Sequence, residues 1–74
     1  MNAFVLICVR YGRFDDDGTR CFDTFEAARR DMLVQLEEER VHLLGCGWYA
    51  EPNVYEREAF IDDVHWSIRE VENV

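Results

Sequence analysis

The chain opens on an unbroken apolar run, NAFVLICVR (residues 2–10). As an extended strand it would place Ala3, Val5, Ile7 and Val9 on one side and Phe4, Leu6 and Cys8 on the other. Alternation usually leaves one face polar. Here both are apolar, which predicts an interior strand with helix on one side. YGRFDDDGT then breaks the run, and Asp17-Gly18 is a hairpin-turn dipeptide. TRCF (residues 19–22) returns as a short antiparallel strand.

The pattern changes period in FDTFEAARRDMLVQLEEERVHLLG (residues 22–45). Phe25, Ala28, Met32 and Leu36 recur at helical spacing and form one buried stripe, predicting a long helix over about residues 24–44. Asp23 is the expected N-cap, with Glu26 completing a capping box and Phe22 stapling onto Ala27. Gly45 is the expected left-handed terminator. Arg40 and His42 fall in the last turn, where cations suit the helix dipole.

GCGWYAEPN (residues 45–53) reads as a loop with a short strand at Trp48–Ala50. From Asn53 two patterns compete. A helix capped by Asn53 would align Val54, Ile61, Val64, Ile68 and Val71. A hairpin would set REAFI and VHWSIREVE about Asp62-Asp63, with Val64, Trp66 and Ile68 on one face and His65, Ser67 and Arg69 on the other. The clean alternation of HWSIREV favours strands. The predicted fold is therefore α+β, a single domain over residues 1–74. A small antiparallel sheet, from the N-terminal hairpin and the C-terminal strands, packs on one long helix. The alternative is a β-hairpin followed by two helices.

Composition narrows the function more than the fold. At 74 residues, 49% hydrophobic and 14% aromatic, the chain has enough apolar mass for one small core and too many rings for disorder. Tyr11, Phe14, Trp48, Tyr49, Tyr55, Phe60 and Trp66 exceed what so small an interior needs. Some of them, with Tyr11, Phe14, Trp48, Tyr49 and Trp66 as candidates, are expected at a surface that meets a partner or a second copy. The net charge is −8, and every base is an arginine. Residues 23–74 hold thirteen acids against five arginines and so account for the whole imbalance. That disfavours direct binding to nucleic acid or an anionic membrane and points to a basic protein surface as partner. No apolar run is long enough to span a bilayer and no basic-plus-apolar leader stands before a cleavage site, so a cytoplasmic location is expected.

Candidate chemistry is sparse. Cys8, Cys21 and Cys46 are odd in number and lack disulfide-scaffold spacing. His42, Cys46, Cys21 and His65 could supply zinc ligands, but no Cys-x-x-Cys pair anchors them, and no metal or cofactor is expected. Asp15, Asp16 and Asp17 lack the alternating ligands of a calcium loop. Ser67 is the lone serine and has no nucleophile-elbow context, and the glycines are scattered rather than gathered into a phosphate loop. No catalytic residues are assigned, and the chain is expected to be non-enzymatic. The remaining anomaly is Glu37, Glu38 and Glu39, three carboxylates late in a helix whose C-terminal end disfavours anions. Together with Glu51, Glu56, Glu58, Asp62 and Asp63 they would make an acidic patch if loop and hairpin packed beside the helix end.

The layout resembles short acidic proteins encoded by bacteriophages and mobile elements. The shared features are an apolar first strand (AFVLICVRYG), an acidic helix opened by FDTFEAARRDM, and a closing strand of the HWSIREVE type. The resemblance implies an anti-CRISPR or other anti-defence inhibitor acting in the host cell cytoplasm. Such a protein would bind a nucleic-acid-handling host protein, a CRISPR effector or another nuclease, sometimes by imitating a phosphate backbone. The competing expectation is a homodimeric structural or regulatory interaction module whose acidity serves solubility alone.

Overall fold

The computed structural model describes residues 2–72. The strands are β1 (Asn2–Arg10), β2 (Arg13–Phe14), β3 (Arg20–Phe22), β4 (Asn53–Val54), β5 (Glu58–Ile61) and β6 (Val64–Glu72), and the helix is α1 (Phe25–Gly45). They form one antiparallel sheet in the order β2-β1-β6-β5-β4, with β3 also on β1, and α1 packs on one face. This is the α+β architecture that the hydrophobic pattern predicts.

The centre of the sheet is the pairing of β1 with β6, in register from Asn2↔Glu72 to Arg10↔Val64. Leu6 and Cys8 face the helix beside Val64, Trp66 and Ile68, with Ala59 and Ile61 from β5. Ala28, Met32, Leu36 and Leu43 close the core from α1. Burying each large side chain contributes about 1.5–3 kcal/mol, so this one interface supplies most of the stability. The hairpin pattern for the C-terminal segment is the one adopted, with Asp62 at a φ of 53° in its turn. Trp48–Ala50 is loop rather than strand, and the edge strand comes later, at Asn53–Val54.

Three boundaries differ from the sequence expectations. Thr24, not Asp23, caps α1: its hydroxyl accepts the Ala27 N–H at 3.1 Å. Starting the helix there puts Phe25 in the first turn, edge-on to Phe4 at 6.2 Å and beneath the Arg57 guanidinium at 5.1 Å. At the other end the left-handed residue is Gly47 (φ 82°), while Gly45 remains helical. Trp48 N–H donates to Leu43 O and Gly47 N–H to Leu44 O, each at 2.9 Å, which satisfies the last carbonyls. The first hairpin turns at Tyr11-Gly12, both with positive φ (53° and 76°), instead of at Asp17-Gly18.

Asp17-Gly18 instead belongs to a loop folded back on β1. Cys8 N–H donates to Thr19 Oγ1 at 3.0 Å, and Asp15 N–H donates to Cys8 O at 2.9 Å. Gly18 is pressed so close that a Cβ there would lie 2.8 Å from both Cys8 Cβ and Gln35 Oε1. A turn glycine in the sequence is thus a close-packing glycine in the fold.

Among the described residues only one face of the sheet is covered. The register sets Ala3, Val5, Ile7 and Val9 beside Val71, Arg69, Ser67 and His65 on the side away from α1. Cys21 lies opposite Val5, Phe14 opposite Val9, and Phe60 opposite His65 on that same side. Among the described residues no helix is long and apolar enough to cross a membrane.

Candidate functional site

The inward stripe of α1, continued from Leu36, arrives at Glu39, and the inward positions of β1, continued from Cys8, arrive at Arg10. The fold brings these two charges together. Arg10 Nη1 binds Glu39 Oε1, while Arg10 Nε lies 3.4 Å from Asp15 Oδ2. Glu39 is only 7% exposed, so its carboxylate depends on that partner. The hydrogen bond to Glu39 raises the Arg10 pKa, although burial works against it. Burial alone would raise Asp15, but its bonds from Arg10 and from the Asp17 amide prevail and hold it below the usual carboxylate range.

Beside this pair a second network ties loop, helix and sheet. Trp66 Nε1–H donates to Gln35 Oε1 at 2.9 Å, and Gln35 Nε2 donates to Gly18 O at 3.0 Å and to Asp31 Oδ2 at 2.8 Å. Asp31 in turn holds Arg20 at 3.1 Å. Between the β2–β3 loop and α1 lies an open cleft lined by Arg10, Asp15, Asp17, Glu38 and Glu39 among others.

The eight acids expected to form one array do not do so. Glu39 turns inward to Arg10, and Glu37 is engaged by Arg40 at 2.9 and 2.6 Å, which lowers its pKa. Glu58 lies on the sheet side away from α1, 3.4 Å from His65. Glu56 sits in the β4–β5 turn, where its carbonyl accepts from Arg29 and its carboxylate lies 3.8 Å from Arg57. Asp62 and Asp63 are at the opposite end of β5, joined to the first hairpin by the bond from Tyr11 N–H to Asp63 O. Glu51 belongs to the loop after α1. Strand alternation and the length of the hairpin separate what a linear reading grouped. The run of three glutamates resolves into three situations: one paired on the surface, one buried, and Glu38 alone in solvent.

A smaller acidic group lies at the cleft between the β2–β3 loop and α1. Among the described residues Asp23, Glu26, Glu51, Asp62, Asp63, Glu70 and Glu72 are exposed elsewhere without an ion pair. Asp16, Asp17 and Glu38 are exposed and make no ion pair among the described residues. Of these, only Glu38 belongs to the array expected from sequence. Asp16 and Asp17 belong to the aspartate run that lacks the alternating ligands of a calcium loop. Among the expected contact aromatics, Tyr11, Phe14, Trp48 and Tyr49 are exposed. Trp66 is not: it is fully buried, because Val64, Trp66 and Ile68 share the face beneath α1. Two rings outside that group, Tyr55 and Phe60, stack at 6.1 Å near the sheet edge.

No group of three or more His, Cys, Asp or Glu among the described residues is placed to hold a metal ion. Cys46 caps α1, whereas Cys21 and His65 lie on the sheet side away from it. Cys8 is buried, and desolvation, reinforced by the negative charge of Asp15, pushes its thiol up to about 11. Because the folded pKa lies above the unfolded one, the protonated thiol stabilises the fold fully below pH 9. That contribution is lost as the pH climbs through about 11, and amounts to on the order of 2–3 kcal/mol. Urea melts from pH 8 upward should show this loss in the native chain and not in Cys8→Ala, while a thiol reagent should label Cys21 and Cys46 well before Cys8. Equal alkaline slopes in the two proteins would remove Cys8 as the cause.

The arrangement exposes charge and apolar surface while its buried acid is paired and its buried thiol is held protonated. No family model, curated protein or solved structure matches the chain.

Proposed function

We propose that the chain is a small acidic binding protein without catalytic activity, which inhibits a nucleic-acid-handling protein by occupying its basic surface. The observation that carries this reading is the exposed, unpaired charge of Asp17 and Glu38 at one open cleft, set against a sheet face that holds almost no acid. Asp16, Asp17 and Glu38 stand exposed and unpaired where the β2–β3 loop meets α1, whereas Glu58 is the one acid that the strand register places on the opposite sheet face. Arginine- and lysine-lined channels attract clustered negative charge. The resemblance to phage-encoded anti-defence proteins suggests a CRISPR effector or another nuclease in the host cytoplasm as the target class.

The test is binding to a candidate nuclease at rising salt and in competition with nucleic acid. Affinity should fall with ionic strength, and nucleic acid should displace the chain. The triple variant Asp16→Arg, Asp17→Arg, Glu38→Arg should lose binding while keeping its circular dichroism, since none of these side chains enters the core. Reversal at Glu39 would be a poor probe, because it would break the pair with Arg10. Binding that ignores salt and nucleic acid alike would refute the electrostatic reading.

A further inference from the structure

The sheet face away from α1 is an interaction surface in its own right, and we infer that it pairs with the same face of a second copy of this chain. Its centre is Val5, Ile7 and Val9 on β1, all half-buried, with Val71, Phe14 and Phe60 exposed around them. β1 and β6 are nine residues each. Strands of that length, spaced about 4.8 Å apart and rising about 3.4 Å per residue, make with the shorter strands about 500 Å² of flat face per copy. Two such faces come to about 1,000 Å² before side-chain relief is added, which is the size at which specific interfaces begin.

Charge selects the occupant. The molecule carries −8, so two copies repel each other across most orientations. This face is the exception, holding Glu58 beside His65 and, on the same side, Arg69, which makes no ion pair among the described residues. One anion and one cation on a single patch are self-complementary under a two-fold axis, where each copy's Arg69 can approach the other's Glu58. A strongly basic partner gains nothing here, because the unpaired acids lie elsewhere. Two copies stacked this way would bury their sheets and turn both helices outward.

Sedimentation equilibrium over a concentration series tests the pairing without reference to any target. The native chain should reach the mass of two chains. Its dimer should tighten as salt rises, because screening relieves the repulsion while apolar contact persists. Target binding by the acidic group has the opposite salt dependence, so the two ideas can fail separately. Ile7→Glu should weaken dimerisation about a hundredfold or more, since it buries a carboxylate between sheets. Phe14→Asp, at the exposed margin of the face, should do the same in part and serves if Ile7→Glu does not fold. Glu38→Arg should leave the dimer intact. A native chain that stays monomeric at every concentration overturns the inference, even if the face then binds an apolar dye. So does a dimer that survives both sheet-face substitutions.

Discussion

Trp66→Ala is expected to cost about 3–5 kcal/mol, the usual penalty for removing a large buried ring. A domain of 74 residues has roughly 4–11 kcal/mol of stability in total. The variant should therefore lose a large share of its stability, and unfold at room temperature if the total lies at the lower end of that range. Trp66 has no exposed surface, sits on the central strand pair beneath α1, and donates its indole N–H to Gln35. Gln35 also holds the Gly18 carbonyl and Asp31, so the loss spreads from the sheet to the β2–β3 loop. Trp66→Phe keeps most of the packing but leaves Gln35 Oε1 without its donor, and should cost about 1–2 kcal/mol beyond the lost volume. Urea denaturation followed by circular dichroism separates these cases. An alanine variant less than about 1 kcal/mol below the native protein would show that the core does not depend on this ring.

Arg10→Met is the second large effect. It leaves Glu39 as a buried carboxylate without its cation, which in fully buried pairs costs about 3–5 kcal/mol. The Arg10 side chain is 38% exposed, so water can partly replace it, and about 2–3 kcal/mol is the better figure. The distinctive result is the double variant. Arg10→Met with Glu39→Leu removes both charges and should recover most of the loss, because two well-packed apolar groups need no desolvated partner. Additive losses in that cycle would mean that each side chain acts through other contacts and that the pair is incidental.

How much of this was legible beforehand follows from the reach of each signal. The helix stripe through Phe25, Ala28, Met32 and Leu36 and the alternation of Val64, Trp66 and Ile68 are repeated patterns, and they locate α1 and β6 correctly. Single-residue features were less secure. Asp23 and Thr24 are both good caps, and what separates them is the placement of Phe25 against Phe4, a contact between elements far apart in sequence. Asp17-Gly18 is the stronger turn dipeptide, yet Tyr11-Gly12 turns the hairpin, because Gly18 is needed where β1 and Gln35 approach. The apolar outer face of β1 was visible as a run apolar on both sides, and the fold leaves that side open.

The acidic patch fared worst, since charge along a sequence carries no direction. Glu39 lies on the same helical stripe as Leu36 and Leu43, and Arg10 on the same strand parity as Leu6 and Cys8. Reading those periodicities past their apolar members would have aimed the two charges at each other. Trp66 was open to the same inference from its neighbours Val64 and Ile68.

The register of β1 on β6 joins distant stretches of chain: Asn2 and Glu70, in contact in the sheet, are 68 positions apart. Few local contacts can form the centre of the sheet, so folding belongs with the slower, topologically demanding small domains, on a scale of milliseconds to seconds. Linking the two strand ends with a few residues and opening the chain between Asp62 and Asp63 would leave the pairing intact while redistributing loop closure. Such a permutant should keep the native spectrum but fold at a different rate.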